Sequence, residues 1–179
     1  KDMEEYIEAK KNIFKYQRKD DLLVINEDNK VTKSMEKECI GRVLKFSMKE
    51  KLKKGAFFYD EHLYINEKKV CNMNEVKLKG MHNIENLLAA FCCVSEDISI
   101  DSMGKVAKNF AGVEHRLELV KEIQGVKYFN DSIASSPTRT LAGLKSFDRP
   151  VILIAGGYDK NISFDILAKE GISHIKHLT

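Results

Sequence analysis

Asn130-Asp131-Ser132 stands between a predicted strand and a predicted helix. Open α/β sheets gather helix N–H groups and loop side chains around ligands at that position. Asp131 suits ribose hydroxyls, although the same three residues also make a solvated Asx turn with a capping serine. Glu114-His115-Arg116 sets an imidazole beside a guanidinium. The planar fork of Arg116 matches phosphate oxygens, and the bare triplet also reads as a charged surface. Asn83 and Asn86, following His82, place two carboxamides at a helix start. They suit a purine edge or ordinary capping. Lys10 has Tyr6 and Phe14 as its i−4 and i+4 neighbours. Partial burial favours a neutral amine, which carbon dioxide converts to a metal-binding carbamate. The commoner alternative is a lysine that snorkels along an apolar surface.

A phosphate-cradling P-loop needs the spacing GxxxxGK(S/T), and none of the ten glycines meets it. Ala155-Gly156-Gly157 follows a strand but lacks the GxGxxG spacing of a complete dinucleotide site. On composition it reads as a strand end that needs small residues.

The elements that must position these groups are legible from periodicity. Residues 2–17 read as a helix with Tyr6, Ala9, Ile13 and Phe14 on one apolar face. Leu22–Asn26 is a continuous apolar run, the pattern of a buried parallel strand. Residues 34–39 are a polar connection. Residues 42–78 read as three or four antiparallel strands with charged turns at Asp60-Glu61 and Glu67-Lys68-Lys69. A helix follows, capped by Asn83, with Ile84, Leu87, Leu88 and Phe91 at helical spacing. The next helix starts near Ser99 or Asp101, and a hinge-like stretch follows around Gly112. Residues 116–131 read as a hairpin through Gln124-Gly125. Beyond it come a helix with Ser136 capping and Pro137 in its first turn, a buried strand at 150–157, a helix closed by Gly171, and a last strand. Strand, helix, strand, helix, strand after residue 126 predicts an open α/β sheet.

The 179 residues carry 30 Lys+Arg against 27 Asp+Glu, a net charge of +3 spread along the chain. No basic half or acidic tail points to nucleic acid or a membrane surface. No apolar run approaches the ~20 residues of a membrane-spanning helix, so no such helix is expected. Cys39, Cys71, Cys92 and Cys93 form no CxxC pair, which predicts a reduced, cytoplasmic chain with unpaired thiols. No methionine precedes Lys1, and the chain stops in a strand. A piece of a longer protein is the expectation.

GMHNIENLLAA, GVEHRLE, YFNDSIASSPTRTLAGL and ILIAGGYDKN, in this order and at these distances, resemble the Mur ligase family of ATP-dependent amide-forming enzymes. The opening YIEAKKNIF resembles the helix of that family's carbamylated lysine, and the match falls on Lys10. The resemblance covers essentially the whole chain. It implies that 1–112 is the second half of the central, P-loop-type ATPase domain with its antiparallel subsheet. It implies that 113–179 is the first half of a Rossmann-like α/β C-terminal domain, left incomplete. The nucleotide-sugar domain, the P-loop and the upstream magnesium-holding Glu and His are expected to lie outside this stretch.

The NDSxA(S/T)xP form of the third motif points to the member that adds D-glutamate to UDP-N-acetylmuramoyl-L-alanine in peptidoglycan synthesis. That implies ATP and Mg2+ as cofactors, an acyl phosphate intermediate and a monomeric parent without nucleic-acid or membrane partners. By the resemblance, Asn83 and Asn86 correspond to the adenine-side asparagines, Arg116 to the arginine near the ATP phosphates, and His115 to its neighbour at the domain junction. Asp131 corresponds to the ribose-contacting aspartate. Ser135 and Lys160 correspond to the D-glutamate carboxylate partners, with serine where threonine is usual. Lys10, once carbamylated, would hold one magnesium ion. Ile133 departs from the pattern, since a lysine is common there, and that lysine's role does not carry over. Another Mur ligase, a folylpolyglutamate synthase and a non-catalytic nucleotide-binding module are the alternatives, and the fragment by itself is expected to be inactive.

Overall fold

A computed structural model describes residues 2–158 and 160–179. Asp159, inside the fourth motif, and Lys1 lie outside the described residues. The chain divides into two compact units, one of Lys1–Lys77 with Asn83–Asn109, the other of Leu78–His82 with Phe110–Thr179. The sequence sets its break near Gly112; the chain passes between units at Asn109 and Phe110.

The first unit opens with α1 (Met3–Lys15), capped by Asp2, whose carboxylate accepts the Glu5 N–H. Strands β1 (Leu22–Asn26), β2 (Arg42–Ser47), β3 (Ala56–Tyr59), β4 (His62–Ile65) and β5 (Lys68–Asn72) form one sheet in sequence order. β1–β2 and β2–β3 are parallel, whereas β3–β4 and β4–β5 are antiparallel. The expectation of antiparallel strands throughout 42–78 therefore fails for β2. Only the later connections are tight turns. Asp60-Glu61 and Asn66-Glu67 both take positive φ (46°, 58°, 48° and 62°), the conformation that closes two-residue hairpins. The 48–55 connection suffices for a parallel pair because β3 meets only the end of β2, in the pairs Phe46–Ala56 and Ser47–Phe57.

Helices α3 (Met81–Val94) and α4 (Ile100–Asn109) pack on this sheet. Ile84, Leu87, Leu88 and Phe91 of α3, with Met103 and Ala107 of α4, meet Phe46, Leu63, Ile65 and Cys71 of the sheet. Here the helical spacing reads true. The same burial pushes the Cys92 thiol up to about 12, so that thiol is a core group; all four cysteines are free.

A second cluster joins Phe14 of α1 to Leu23, Ile25 and Met35, with Ile7, Cys39 and Val43 against it. The buried stripe of α1 thus runs through Ile7 and Phe14. Tyr6 (59% exposed) and Ile13 (74% exposed) face outward, against the expected face. Lys11, one turn from each of Ile7 and Phe14, is the partly covered lysine, paired with Glu8 (2.8 Å) and Glu38 (2.9 Å).

Between β1 and β2 runs the short helix α2 (Lys30–Met35), capped by Asn29. Glu27 pins it to the sheet by pairing with Lys33 of α2 and Lys45 of β2. The hydrogen bond from Lys33, reinforced by Lys45, holds the Glu27 carboxyl below its ordinary range. A carboxylate with a depressed folded pKa stabilises above its unfolded value and loses that stabilisation as pH falls through the folded value. Glu27→Gln is therefore expected to cost about 1–2 kcal/mol at pH 7, because charge-assisted bonds are lost while both lysines keep water. Urea unfolding of both forms at pH 7 and at pH 3 checks this: the gap should shrink as pH falls below 4.5.

In the second unit, β6 (Glu118–Ile123) and β7 (Val126–Asn130) form the expected hairpin. Helix α5 (Pro137–Leu144) follows, with Pro137 in its first turn. The Ser136 hydroxyl meets Thr138 Oγ1 at 3.2 Å and makes no cap bond. Phe129 of β7 stacks edge-to-face on Phe147, with ring centroids 5.0 Å apart. β8 (Val151–Leu153) pairs in parallel with β9 (Ile175–Leu178). The expected continuous sheet through β7, β8 and β9 is instead two two-stranded sheets. β8 is three residues long, and Ile152 and Ile154 are exposed. An apolar strand is buried only when layers cover both its faces. The helix expected before Gly171 widens into a π-turn at Leu167–Gly171.

Candidate functional site

The hairpin of the second unit does the positioning. Gln124 and Gly125 take φ of 50° and 78°, and Gly125 adopts this left-handed geometry without a Cβ penalty. That turn sets Glu118 opposite Asn130 in register. The residues before β6 and those after β7 therefore emerge side by side, bringing 113–117 against 131–135.

Hydrogen bonds lock these two segments. The Leu117 N–H donates to Asp131 Oδ1 (3.1 Å), and the Ile133 N–H donates to the His115 carbonyl (3.2 Å). Asn130 Nδ2 lies 2.8 Å from His115 Nδ1. Glu118 Oε2 accepts the His115 backbone N–H at 2.8 Å. Within the second segment, Ser132 donates to Asn130 Oδ1 and Ala134 to the Asp131 carbonyl. His115 and Leu117 both lie in the left-handed region, at φ of 64° and 45°. Such backbone costs of order 1 kcal/mol per residue and persists where the surroundings over-determine it. Between them sits Arg116, exposed, its guanidinium paired with no described residue. Ser135 is also exposed, and its N–H bonds the Ile133 carbonyl.

The structure thus brings together His115, Arg116, Asp131 and Ser135. Lys160 is exposed in the stretch after β8, and among the described residues no hydrogen bond or ion pair joins it to the loop pair. Asn130, named in the sequence only as part of its triplet, and Glu118, which residue-type reasoning passed over, are the further members the structure adds. Their signal is positional, since each ends a hairpin strand next to a candidate residue.

In the first unit, Asn83 and Asn86 lie inside α3, not at its cap, because the helix already starts at Met81. Asn83 is buried, and its Oδ1 accepts from Asn86 Nδ2 (3.2 Å). Glu85, between them, accepts from Asn26 Nδ2 at 2.6 Å. This ties the start of α3 to the carboxyl end of β1, the edge at which parallel sheets take ligands. At that same edge Asp28 accepts the Ser47 hydroxyl and the Met48 N–H, both at 2.7 Å.

Lys10 corrects an expectation. It is exposed, with Nζ 5.4 Å from the Tyr6 ring centroid, and the burial that favoured a neutral amine is not there. Its two apolar neighbours diverge: Phe14 turns into the core and Tyr6 outward. Among the described residues no three His, Cys, Asp or Glu side chains converge as a metal centre. No helix among them is long and apolar enough to cross a membrane.

Comparison with known proteins gives a consistent answer. Residues 1–94 match the Mur ligase middle domain. The UDP-N-acetylmuramoylalanine--D-glutamate ligase of Clostridium tetani is 85% identical over 178 residues, covering 99% of this chain and 39% of that protein. The protein of the same description from Clostridium kluyveri is 65% identical over the same shares. The chain spans about two fifths of the length of these curated relatives. Among solved structures, the UDP-N-acetylmuramoylalanyl-D-glutamyl-2,6-diaminopimelate--D-alanyl-D-alanyl ligase of Acinetobacter baumannii superposes with a TM-score of 0.75 at 14% identity. It covers 96% of this chain and 41% of that one. A folylpolyglutamate synthetase from Lactobacillus casei gives 0.63 at 12% identity, covering 99% and 47%. At such identities the structures speak for the fold alone. With the middle-domain match reaching across more than half of its residues, this chain belongs to the Mur ligase family.

Proposed function

We propose that the chain is part of an ATP-dependent ligase that joins D-glutamate to UDP-N-acetylmuramoyl-L-alanine in cytoplasmic peptidoglycan synthesis. The observation that carries this reading is the 85% identity, sustained over 178 residues, to a relative described as that ligase. Residues 1–112 then belong to the central ATP-binding domain and 113–179 to the amino-acid-binding domain.

The chemistry of the locked loops fits a nucleotide. Arg116 offers an exposed guanidinium to phosphate oxygens, held between two left-handed residues. His115 adds a ring nitrogen beside it. Asp131, whose Oδ1 accepts the Leu117 N–H and whose Oδ2 packs beside Gly143 of α5, is the proposed partner of a ribose hydroxyl. Asn83 and Asn86 present carboxamides suited to adenine. ATP, when bound, supplies the phosphoryl group that activates the alanyl carboxylate for attack by the D-glutamate amine. Ser135 and Lys160 are the proposed partners of the D-glutamate carboxylates. Magnesium is a different case. The described residues converge on no acidic or imidazole cluster, and Lys10 would offer oxygen ligands only as a carbamate.

The test is ATP-dependent phosphate release by the full-length protein carrying this chain. Release should require both UDP-N-acetylmuramoyl-L-alanine and D-glutamate, and the 179-residue chain by itself should show none. Faster turnover with another amino acid or with a folate substrate would move the protein to a sister activity. Binding of ATP without any turnover would favour a nucleotide-binding module.

A further inference from the structure

We infer that Asn130 is a positioning residue that sets the ring orientation and the tautomer of His115, a role that rests on the reading of His115 as part of the nucleotide site. Asn130 is the last residue of β7 and is half-buried. Its carboxamide is oriented by the backbone: Oδ1 accepts the Ser132 N–H at 3.1 Å. The amide nitrogen is therefore the atom turned toward His115 Nδ1, 2.8 Å away. A carboxamide nitrogen donates and never accepts. His115 Nδ1 must then be the bare acceptor, and the ring proton sits on Nε2.

The neighbouring acid does not compete for the ring in this arrangement. Glu118 Oε2 lies 3.9 Å from His115 Nδ1 and spends its bond on the His115 backbone N–H at 2.8 Å. The imidazole is thus held from one side by a neutral donor, while Glu118 fixes the main chain beneath it. The ring is 60% exposed, so the Nε2–H is left as an open donor one residue before Arg116. A donor of fixed direction suits the acceptor atoms of a nucleotide, phosphate oxygens or purine nitrogens, better than a freely rotating ring. The same carboxamide spans the two segments that carry His115 and Asp131, so one side chain couples the placement of both.

Nitrogen-15 histidine ring spectra of the full-length protein test the assignment. The wild-type protein should show His115 protonated at Nε2. Asn130→Asp replaces the donor by an acceptor and should move the proton to Nδ1; Asn130→Ala should leave a mixture of tautomers. Asn130→Ala should also raise the KM for ATP about three- to tenfold with kcat nearly unchanged, a split that general loss of folded protein would not produce. A wild-type ring protonated at Nδ1, or a His115 spectrum indifferent to both substitutions, overturns the inference. The tautomer moving as inferred with no change in the KM for ATP would instead overturn the nucleotide role of His115 and leave its contact with Asn130 standing.

Discussion

Arg116→Ala, made in the full-length protein, is expected to lower kcat/KM for ATP-dependent ligation by about 100-fold or more. Removing one preorganised donor from developing transition-state charge costs about 10²–10³ in rate. Arg116 has the geometry for that role, because the backbone on both sides is over-determined while the side chain itself is exposed and unpaired among the described residues. Since it braces nothing in the fold, the substitution should leave urea stability within about 0.5 kcal/mol of wild type. Arg116→Lys should recover only part of the loss: the charge remains, but the two-pronged fork does not. Steady-state kinetics together with an unfolding curve decide the matter. A stable Arg116→Ala protein with turnover within twofold of wild type would remove Arg116 from the site.

Leu88→Ala is expected to cost about 3 kcal/mol, a large fraction of the roughly 5–15 kcal/mol by which a domain is stable. Leu88 is 0% exposed at the centre of the α3 face, in the cluster that joins the sheet to α4. Truncation there loses the transfer energy of the removed methyls and leaves a cavity that close-packed neighbours cannot fill. Val106→Ala on α4, where the side chain is 58% exposed, serves as the control and should change stability by less than about 0.5 kcal/mol. The expected signature is a lower urea midpoint with an unchanged slope. A loss under 1 kcal/mol would mean that Leu88 is not at the centre of the core.

Local signals carried the elements whose partners are close in sequence. Ile84 to Phe91 repeat at 3.6 residues and pack as that period requires. Gln124-Gly125 closes the hairpin it advertises, and Asp60-Glu61 turns the chain although neither residue is a glycine. What stayed hidden is what other segments decide. The direction of β2 depends on β1 and β3, not on its own alternation. The rotation of α1 depends on Leu23, Ile25 and Met35, which select Phe14 and reject Tyr6 and Ile13. The apolar run at β8 promised burial, yet strand burial comes from neighbouring layers. In the site, adjacency was legible: a hairpin between 118 and 130 must bring its two flanks together. The left-handed backbone at His115 and Leu117 was not, because leucine does not signal positive φ, histidine does so only weakly, and the bonds that hold it arise from the opposite strand.

The way the two units share the chain has a practical consequence for dissecting the protein. Leu78–His82 belongs to the second unit, although its sequence neighbours on both sides belong to the first. Leu78 lies against Gly112, where an added methyl would sit 3.3 Å from the Leu78 side chain, and Gly80 lies beside Ser146. The polypeptide therefore crosses from one body to the other three times. No single proteolytic nick separates two intact halves. A truncation that ends at Asn109 keeps a five-residue orphan, and one that begins at Phe110 arrives without it.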